Sequence, residues 1–142
     1  MLLLCAAQRK PLALQYYDNA LRIDSVSTEA LYAKAMYYQE DRPPLYEKAL
    51  ALYRKIIVLD PQYTDAIFNT GVIQIEQGKF AEAKTSFELS TKTDVTCSKC
   101  FYYRAIIAEK QKDVPAARQF LAQALKLDPE NESIKQALSS LK

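Results

Sequence analysis

The sequence predicts an all-α protein, a solenoid of helix pairs, and three observations carry this prediction. Residues 65–95 contain two amphipathic helical patterns separated by a short break at Gln77-Gly78-Lys79. The 142 residues include only 2 glycines and 6 prolines, which leaves little material for hairpins and favours helices. The third observation is an internal repeat, because the plan of residues 65–95 recurs along the chain.

Three columns of residues carry this repeat. The first column consists of aspartates that end similar helical runs at positions 24, 60, 94 and 128, at intervals of 36, 34 and 34 residues. A column of small residues and a column of bulky residues, four positions apart, keep the same intervals. Their members are Asp24, Asp60, Asp94 and Asp128; Ala13, Ala49, Ala83 and Ala117; and Tyr17, Tyr53, Phe87 and Leu121. Three independent columns with one period predict a single structural unit that is repeated.

The columns resemble the tetratricopeptide repeat, a helix–turn–helix unit of 34 residues. Positions of the family pattern are matched by Gly71, Ala83 and Phe87 in one unit and by Ala35, Ala49, Tyr53, Pro61, Ala105, Ala117, Leu121 and Pro129 in the others. The family's leading Trp is replaced by Leu31, Ile67 or Phe101, and its next Leu by Lys34, Thr70 or Arg104. The resemblance implies a right-handed superhelical solenoid of antiparallel helix pairs, in which the first helix of each pair lines a concave groove.

The repeats divide the chain into five segments. Residues 1–26 are predicted to form a partial N-terminal repeat whose second helix spans residues 11–24. Full repeats are predicted at 27–61, with a two-residue insertion in its inter-helix turn, at 62–95 and at 96–129. Residues 130–142 are predicted to form a capping helix, with Ile134, Leu138 and Leu141 on one face. Because the first repeat lacks its beginning, we expect a piece of a larger or processed protein, with Leu2, Leu3 and Leu4 exposed or covered.

Composition and charge argue against several classes of function. The formal net charge of +2 comes from interspersed residues of both signs, whereas nucleic-acid binding favours a basic face. No apolar run reaches about 18 residues, so we expect no membrane insertion. The chain has no histidine and no Gly-rich phosphate loop, so we expect neither an enzyme nor a cofactor. The start of the chain lacks the features of a secretion signal. The compartment is therefore open: the cytoplasm by default, or the periplasm if an upstream signal has been removed.

The resemblance also implies positions that line the groove, spaced i, i+4, i+7 along each first helix. These positions fall on Tyr32, Met36 and Gln39; on Phe68, Val72 and Ile75; and on Tyr102, Ile106 and Glu109. They predict an aromatic column beside an aliphatic column, edged by Glu29, Glu40, Asp65, Glu76, Lys99 and Lys110. The alternative is that these side chains pack against neighbouring helices.

Some members of the family grip peptide carboxylates with a clamp of five polar residues. Asn69 and Lys99 match two of those positions, but the other three hold Tyr32, Met36 and Tyr103. We therefore expect a protein or peptide partner that contributes an apolar segment. A second class of function is a structural or self-assembly module that associates through its truncated N-terminal repeat or its end faces.

Cys97-Ser98-Lys99-Cys100 is the one stretch that suggests redox chemistry. It lies where a helix is predicted to begin, and a helix N-terminus lowers the pKa of a thiol. Zinc would require four ligands, and outside this stretch the chain offers only Cys5 and no histidine. A thioredoxin-type pair lies in a strand–helix setting, which is not predicted here. Three interpretations stay open: packing cysteines, a reversible disulfide and, with the least support, a metal site.

Overall fold

The computed structural model describes the backbone of residues 2–141 and the side chains of residues 12–141, and this part of the chain is helical without strands. Its eight α-helices are α1 Leu2–Ile23, α2 Thr28–Glu40, α3 Tyr46–Leu59, α4 Thr64–Glu76, α5 Phe80–Thr93, α6 Ser98–Lys110, α7 Val114–Leu127 and α8 Glu132–Ser140. The all-α prediction is confirmed over the described residues. None of the helices in this part of the chain combines the length and the apolar character needed to cross a bilayer.

The helices form two compact units, Met1–Pro61 and Gln62–Lys142. In the first unit, α2 and α3 form a hairpin and α1 packs against α2. The second unit contains two hairpins, α4–α5 and α6–α7; α5 packs on α6, and α8 packs on α7. The α2–α3 hairpin corresponds to the 36-residue interval of the sequence, and the other two hairpins each correspond to a 34-residue interval.

Aspartates end α1 and the second helix of each hairpin, where the chain turns into the next helix. The backbone N–H groups of Asp60, Asp94 and Asp128 donate to the carbonyl four residues earlier, at 2.7, 3.1 and 2.9 Å. The Asp94 carboxylate then accepts from the Thr96 hydroxyl at 2.6 Å and from the Thr96 N–H at 2.9 Å. These two bonds stabilise the charged form and hold the pKa of Asp94 below its ordinary value. The aspartate column of the sequence is therefore a column of helix stops followed by turns.

The two hairpins of the second unit close through three-residue loops of the same geometry. Gly78 and Lys112, one period apart, adopt left-handed backbone conformations with φ of 75° and 61°. The residue after each donates back across the helix end, from Lys79 to the Gln74 carbonyl and from Asp113 to the Ala108 carbonyl. This is the Schellman pattern of a helix C-terminus. The α2–α3 loop, residues 41–45, is two residues longer, which places the extra length of the first period there.

The small and bulky columns form the core of each hairpin. Ala49 and Tyr53 have no exposed surface in the first unit, nor do Ala83 and Phe87 in the second; Ala117 is also fully buried, and Leu121 is 2% exposed. Small residues allow the helices to approach closely, and the bulky residue one turn later fills the space between pairs. The sequence prediction that these columns are core is confirmed for the three hairpins, whereas Ala13 and Tyr17 on α1 are only half-buried.

Helix α1 differs from its prediction. The sequence predicts that a second helix begins at residue 11, but the backbone is one continuous helix from Leu2 to Ile23. Pro11 therefore lies inside a helix rather than in its first turn. The residues before Pro11 are mostly strong helix formers, and a proline removes one donor without obliging the helix to end. The side chains of Leu2, Leu3 and Leu4, predicted to be exposed or covered, lie outside the described side chains.

Candidate functional site

In the first unit, two of the predicted groove residues of α2 contact its hairpin partner α3. The Tyr32 ring lies 5.9 Å from the ring of Tyr53, centroid to centroid. The Tyr53 hydroxyl donates a hydrogen bond of 2.6 Å to Oε1 of Gln39. Tyr32, Met36 and Gln39 are all half-buried. Tyr32 and Gln39 thus help to fix the α2–α3 hairpin, and all three side chains keep part of their surface open.

In the second unit, Phe68 is a core residue with 8% of its surface exposed. Its ring contacts Phe87 at 5.7 Å and Tyr103 at 5.1 Å between centroids, edge to face in both pairs. Val72 and Ile75 pack against the same cluster while remaining partly exposed. The aromatic member of the predicted α4 stripe is therefore largely covered, and its aliphatic members are half open.

Lys99 covers the outer side of Phe68 and links two equivalent positions of successive repeats. Its Nζ lies 4.4 Å from the centroid of the Phe68 ring and 3.1 Å from Oδ1 of Asp65. Both charged side chains are about half exposed, so the ion pair contributes at most about 1 kcal/mol. Asn69, the other residue that matches the clamp, is 8% exposed, and its Nδ2 donates to the Asp65 carbonyl at 2.8 Å. Both residues are thus engaged with α4.

On α6, the predicted stripe runs from a half-buried tyrosine to an exposed carboxylate. Tyr102 packs against a second core cluster, whose buried members are Ala105, Leu121, Ala124 and Ile134. Ile106 is half-buried, and Glu109 is exposed. Burial raises the pKa of the neighbouring Tyr103 hydroxyl, and the charges of Tyr102 and Glu76 add smaller contributions in the same direction. The α6 stripe therefore offers apolar surface with a charged end.

A cavity of about 270 Å³ opens between the first turns of α6 and α8. Two predicted groove residues, Lys99 and Tyr102, form one wall. The start of α8 forms the other wall, where Asn131 accepts the Ile134 N–H at 3.2 Å and donates to Asp128 at 3.0 Å. The complete lining is Ser98, Lys99, Tyr102, Asp128, Asn131, Ser133 and Ile134. Part of the predicted groove in the second unit is therefore a cavity, shared between α6 and α8.

Sequence reasoning missed the α8 side of this cavity. It treated residues 130–142 as a cap and assigned no groove position to them. The signal was present, since Ser133 lies one period of 34 after Lys99, which itself lies one period after Asp65. The period predicts that α8 continues the row of first helices.

A second cavity, of about 250 Å³, lies among α5, α6 and α7, and none of the predicted groove residues lines it. The Arg104 guanidinium carbon lies 4.2 Å from the Phe120 ring centroid, and Nη1 donates to the Thr91 hydroxyl at 3.1 Å. Lys84 and Arg104 face Glu88 and Asp113 across the lining. Because these charges are mixed, the cavity suits no single class of ion, and we assign it no ligand.

Cys97 and Cys100 are joined in a disulfide at the start of α6. Cys97 is the N-cap, and its sulfur accepts the Cys100 N–H at 3.2 Å. Cys97 is 8% exposed and Cys100 is fully buried. Among the described residues, no group of three or more Cys, Asp or Glu side chains is placed to hold a metal ion.

Helix pairs with a 34-residue period, ended by aspartate turns and packed through small and bulky columns, define a helical repeat protein. Two sequence profiles of the tetratricopeptide repeat match the chain, at residues 65–89 and 98–131. The chain belongs to the tetratricopeptide repeat family.

One relative is a Petunia hybrida protein described as a probable UDP-N-acetylglucosamine–peptide N-acetylglucosaminyltransferase, SPINDLY. It is 30% identical over 82 residues, which cover 58% of this chain and 9% of the petunia protein. The match thus spans less than a tenth of that relative, and the transferase activity in its name describes the much longer protein.

Two solved structures of similar fold contain bound peptides. The first repeat domain of Spaghetti (RPAP3), bound to the HSP90 peptide SRMEEVD, has a TM-score of 0.75 at 21% identity and covers 83% of this chain and 92% of that one. The Yersinia enterocolitica type III secretion chaperone SycD, in complex with a peptide of the translocator YopD, has a TM-score of 0.74 at 18% identity, with coverages of 84% and 95%. At these identities the likeness shows the fold.

Proposed function

We propose that this chain is a protein-interaction scaffold, and that α4, α6 and α8 of the second unit bind an extended segment of a partner protein. We call this surface the α4–α6–α8 face and define it by Val72, Ile75, Lys99, Tyr102, Ile106, Ser133 and Ile134. The observation that carries the proposal is the cavity of about 270 Å³ between α6 and α8, with the half-buried Tyr102 in its wall. The peptides bound to two proteins of the same fold support the class of ligand.

The chemistry of the cavity suits one side chain of a partner segment. Its volume lies below the range of about 300–1,000 Å³ that is typical of small-molecule sites. Tyr102 offers an aromatic surface with few rotatable bonds, a common property of residues that dominate binding energy. Ser98, Ser133 and Asn131 supply hydrogen-bonding groups around it. An apolar side chain in the cavity, with polar contacts at its rim, is the arrangement we propose.

The partner segment is proposed to be apolar rather than anionic. A carboxylate ligand would have to compete with Asp65 for Lys99, because those two side chains already form an ion pair at 3.1 Å. Asn69 is nearly buried, with its amide nitrogen bonded to the backbone of its own helix. Tyr32 and Met36, half-buried on α2, are proposed as a further contact surface of the first unit.

We propose that the chain acts by binding rather than by catalysis. It contains no histidine, so a Ser-His or Cys-His pair cannot form within it. The lining of the α6–α8 cavity combines hydroxyl, amide and single charged groups without a nucleophile paired to a base. These groups are suited to recognition.

The test isolates a partner and then compares matched variants. Proteins retained from lysate by the immobilised chain are divided into overlapping peptides, and the affinity of each peptide is measured by fluorescence anisotropy. Tyr102→Ala is expected to weaken the tightest peptide about 30-fold, equivalent to about 2 kcal/mol, with unchanged helicity. The control is Phe80→Ala, a partly exposed aromatic residue at the start of α5 that lines neither cavity. Equal affinities of the two variants would contradict the proposal.

A second candidate function is self-association through α1. Leu12, Tyr16 and Ile23 are 61, 72 and 90% exposed, and their spacing places them on one side of the helix. An exposed apolar stripe of this kind often marks an interaction surface. Light scattering over a range of concentrations distinguishes a self-associating chain from a monomer. A mass that rises with concentration, and returns to that of the monomer in a Leu12→Ser/Tyr16→Ser variant, would support self-association; a constant monomer mass would exclude it.

A further inference from the structure

The disulfide of Cys97 and Cys100 lies at a helix N-terminus, where negative charge is favoured. The bond joins the N-cap of α6 to a residue of its first turn, and the Cys100 N–H points to the Cys97 sulfur at 3.2 Å. Backbone N–H groups and the helix dipole stabilise an anion at this position. A sulfur that becomes a thiolate there has a hydrogen-bond donor already in place.

The two cysteines differ in accessibility. Cys100 has no exposed surface, whereas 8% of Cys97 is exposed. Phe68, Ala83 and Phe87 belong to the same buried cluster and cover the inner side of the pair. An incoming thiolate therefore approaches the pair from the side of Cys97, and the small exposed area admits a small molecule more readily than the thiol of a folded protein.

The position of the bond argues against a purely structural role. A cross-link stabilises a protein mainly by restricting the unfolded chain, and this effect is small for a short loop. Here the two cysteines are three residues apart. The start of α6 has a further attachment, because the Ser98 hydroxyl donates to the Ala124 carbonyl at 2.9 Å. Opening the disulfide therefore leaves the first turn of α6 anchored.

We propose that Cys97 and Cys100, which flank the cavity-lining residues Ser98 and Lys99, form a thiol–disulfide exchange site for small thiols and dithiols. This exchange chemistry does not depend on whether the α4–α6–α8 face binds a partner. The thiolate of a dithiol attacks the Cys97 sulfur, the bond to Cys100 breaks, and Cys100 leaves as a thiolate that takes up a proton. The second thiol of the reagent loses its proton and attacks the mixed disulfide. The reagent leaves as a cyclic disulfide, and Cys97 is released as a thiolate at the helix N-terminus. Two electrons pass from the dithiol to the protein.

The test uses the full chain with Cys5→Ser, so that only Cys97 and Cys100 report. The folded protein is equilibrated in mixtures of reduced and oxidised dithiothreitol and alkylated with iodoacetamide, and each cysteine is quantified by mass spectrometry. We expect the pair to convert fully between disulfide and dithiol while the helicity measured by circular dichroism is unchanged. In single variants of this chain, the Cys97 thiol of Cys100→Ser should be alkylated about tenfold faster or more than the Cys100 thiol of Cys97→Ser.

Either of two results would overturn the proposal: a disulfide that opens only after unfolding in urea, or a pair that stays as two thiols in excess oxidised dithiothreitol. Equal alkylation rates in the two single variants would overturn the assignment of Cys97 as the attacked sulfur. If a single variant loses helicity, a short alkylation pulse on the reduced two-cysteine chain makes the same comparison. Peptide binding is not a readout, so failure here leaves the proposed function of the face intact.

Discussion

A β-carbon added to Gly71 would lie 2.8 Å from Cζ of Phe87, closer than a β-carbon approaches other heavy atoms in proteins. The ring has little freedom to move away. It is fully buried and stacks on Tyr103, with centroids 5.1 Å apart and planes inclined by 26°. The hairpin of α4 and α5 therefore depends on the absence of a side chain at Gly71.

Gly71→Ala is expected to destabilise the second unit. Overpacking costs about 1–3 kcal/mol, and the better helix propensity of alanine offsets about 1 kcal/mol of it. We expect a net loss of about 1 kcal/mol in the free energy of unfolding, measured in urea. In a Phe87→Leu background the ring atoms are absent, so the same change should be neutral or stabilising. An equal effect in both backgrounds would show that the ring is not the cause.

Lys112 and Gly78 give a matched test of the loop geometry. Lys112 has φ of 61° without being a glycine, a conformation that costs an ordinary residue about 1–2 kcal/mol. Lys112→Gly should raise the free energy of unfolding by about 0.5 kcal/mol or more, because glycine adopts this conformation freely but loses more entropy on folding. Gly78→Ala should lower it by about 1 kcal/mol through the backbone alone, since its β-carbon would meet nothing within 4 Å. Urea unfolding measures the change in stability of both variants. Changes of the same sign would contradict the left-handed backbone conformation at the two positions.

Ionisation of Tyr103 is expected to lower the free energy of unfolding at alkaline pH. Burial raises the pKa of its hydroxyl above the ordinary value of 10.0. A raised pKa in the folded state gives a stabilisation that is complete below pH 10 and is lost as the pH rises through the folded value. The free energy of unfolding of the wild type should therefore fall more steeply above about pH 10 than that of Tyr103→Phe. Parallel curves for the two proteins would show that the tyrosine is not buried as described.

Ile134 holds α8 against the second unit. The residue is 2% exposed and packs with Leu121 and Ala124, whereas a helix of nine residues has little stability alone. Ile134→Ala should cost about 2–3 kcal/mol and speed hydrogen exchange along α8. The exposed control Gln136→Ala should stay within about 0.5 kcal/mol of the wild type. Unchanged exchange in α8 of the Ile134 variant would mean that other contacts hold the helix.

The period of the sequence predicted the hairpins because it reflects backbone packing. The positions of Ala83 and Phe87 recur at fixed intervals because the two helices of every pair meet at the same places. The aspartates recur because the second helix of each pair must end there and the chain must turn. These packing and turn requirements are local and the same in each repeat. They are therefore visible as a period in a single sequence. Continuous α1 could not be predicted in the same way, because the cost of Pro11 inside a helix is weighed against the propensity of many neighbours.

The candidate site was only partly predictable, because it depends on which side chain covers which. The pattern placed Phe68 and Tyr102 at equivalent positions, yet Phe68 is nearly buried and Tyr102 is half open. The difference arises from Tyr103 and Lys99, whose ring and ammonium group cover Phe68. The sequence shows that Tyr103 occupies a position where the clamp pattern has a polar residue. It does not show that the Tyr103 ring packs against Phe68.

The most direct test of the α4–α6–α8 face is a map of the binding site by NMR. The tightest partner peptide is titrated into ¹⁵N-labelled chain while backbone amide shifts are followed. We predict that the largest shifts fall in the first turns of α6 and α8 and along the stripe of Tyr102 and Ile106, and that they are lost in Tyr102→Ala. Shifts concentrated on α5 and α7, around Arg104 and Phe120, with Tyr102→Ala binding as tightly as the wild type, would contradict the account.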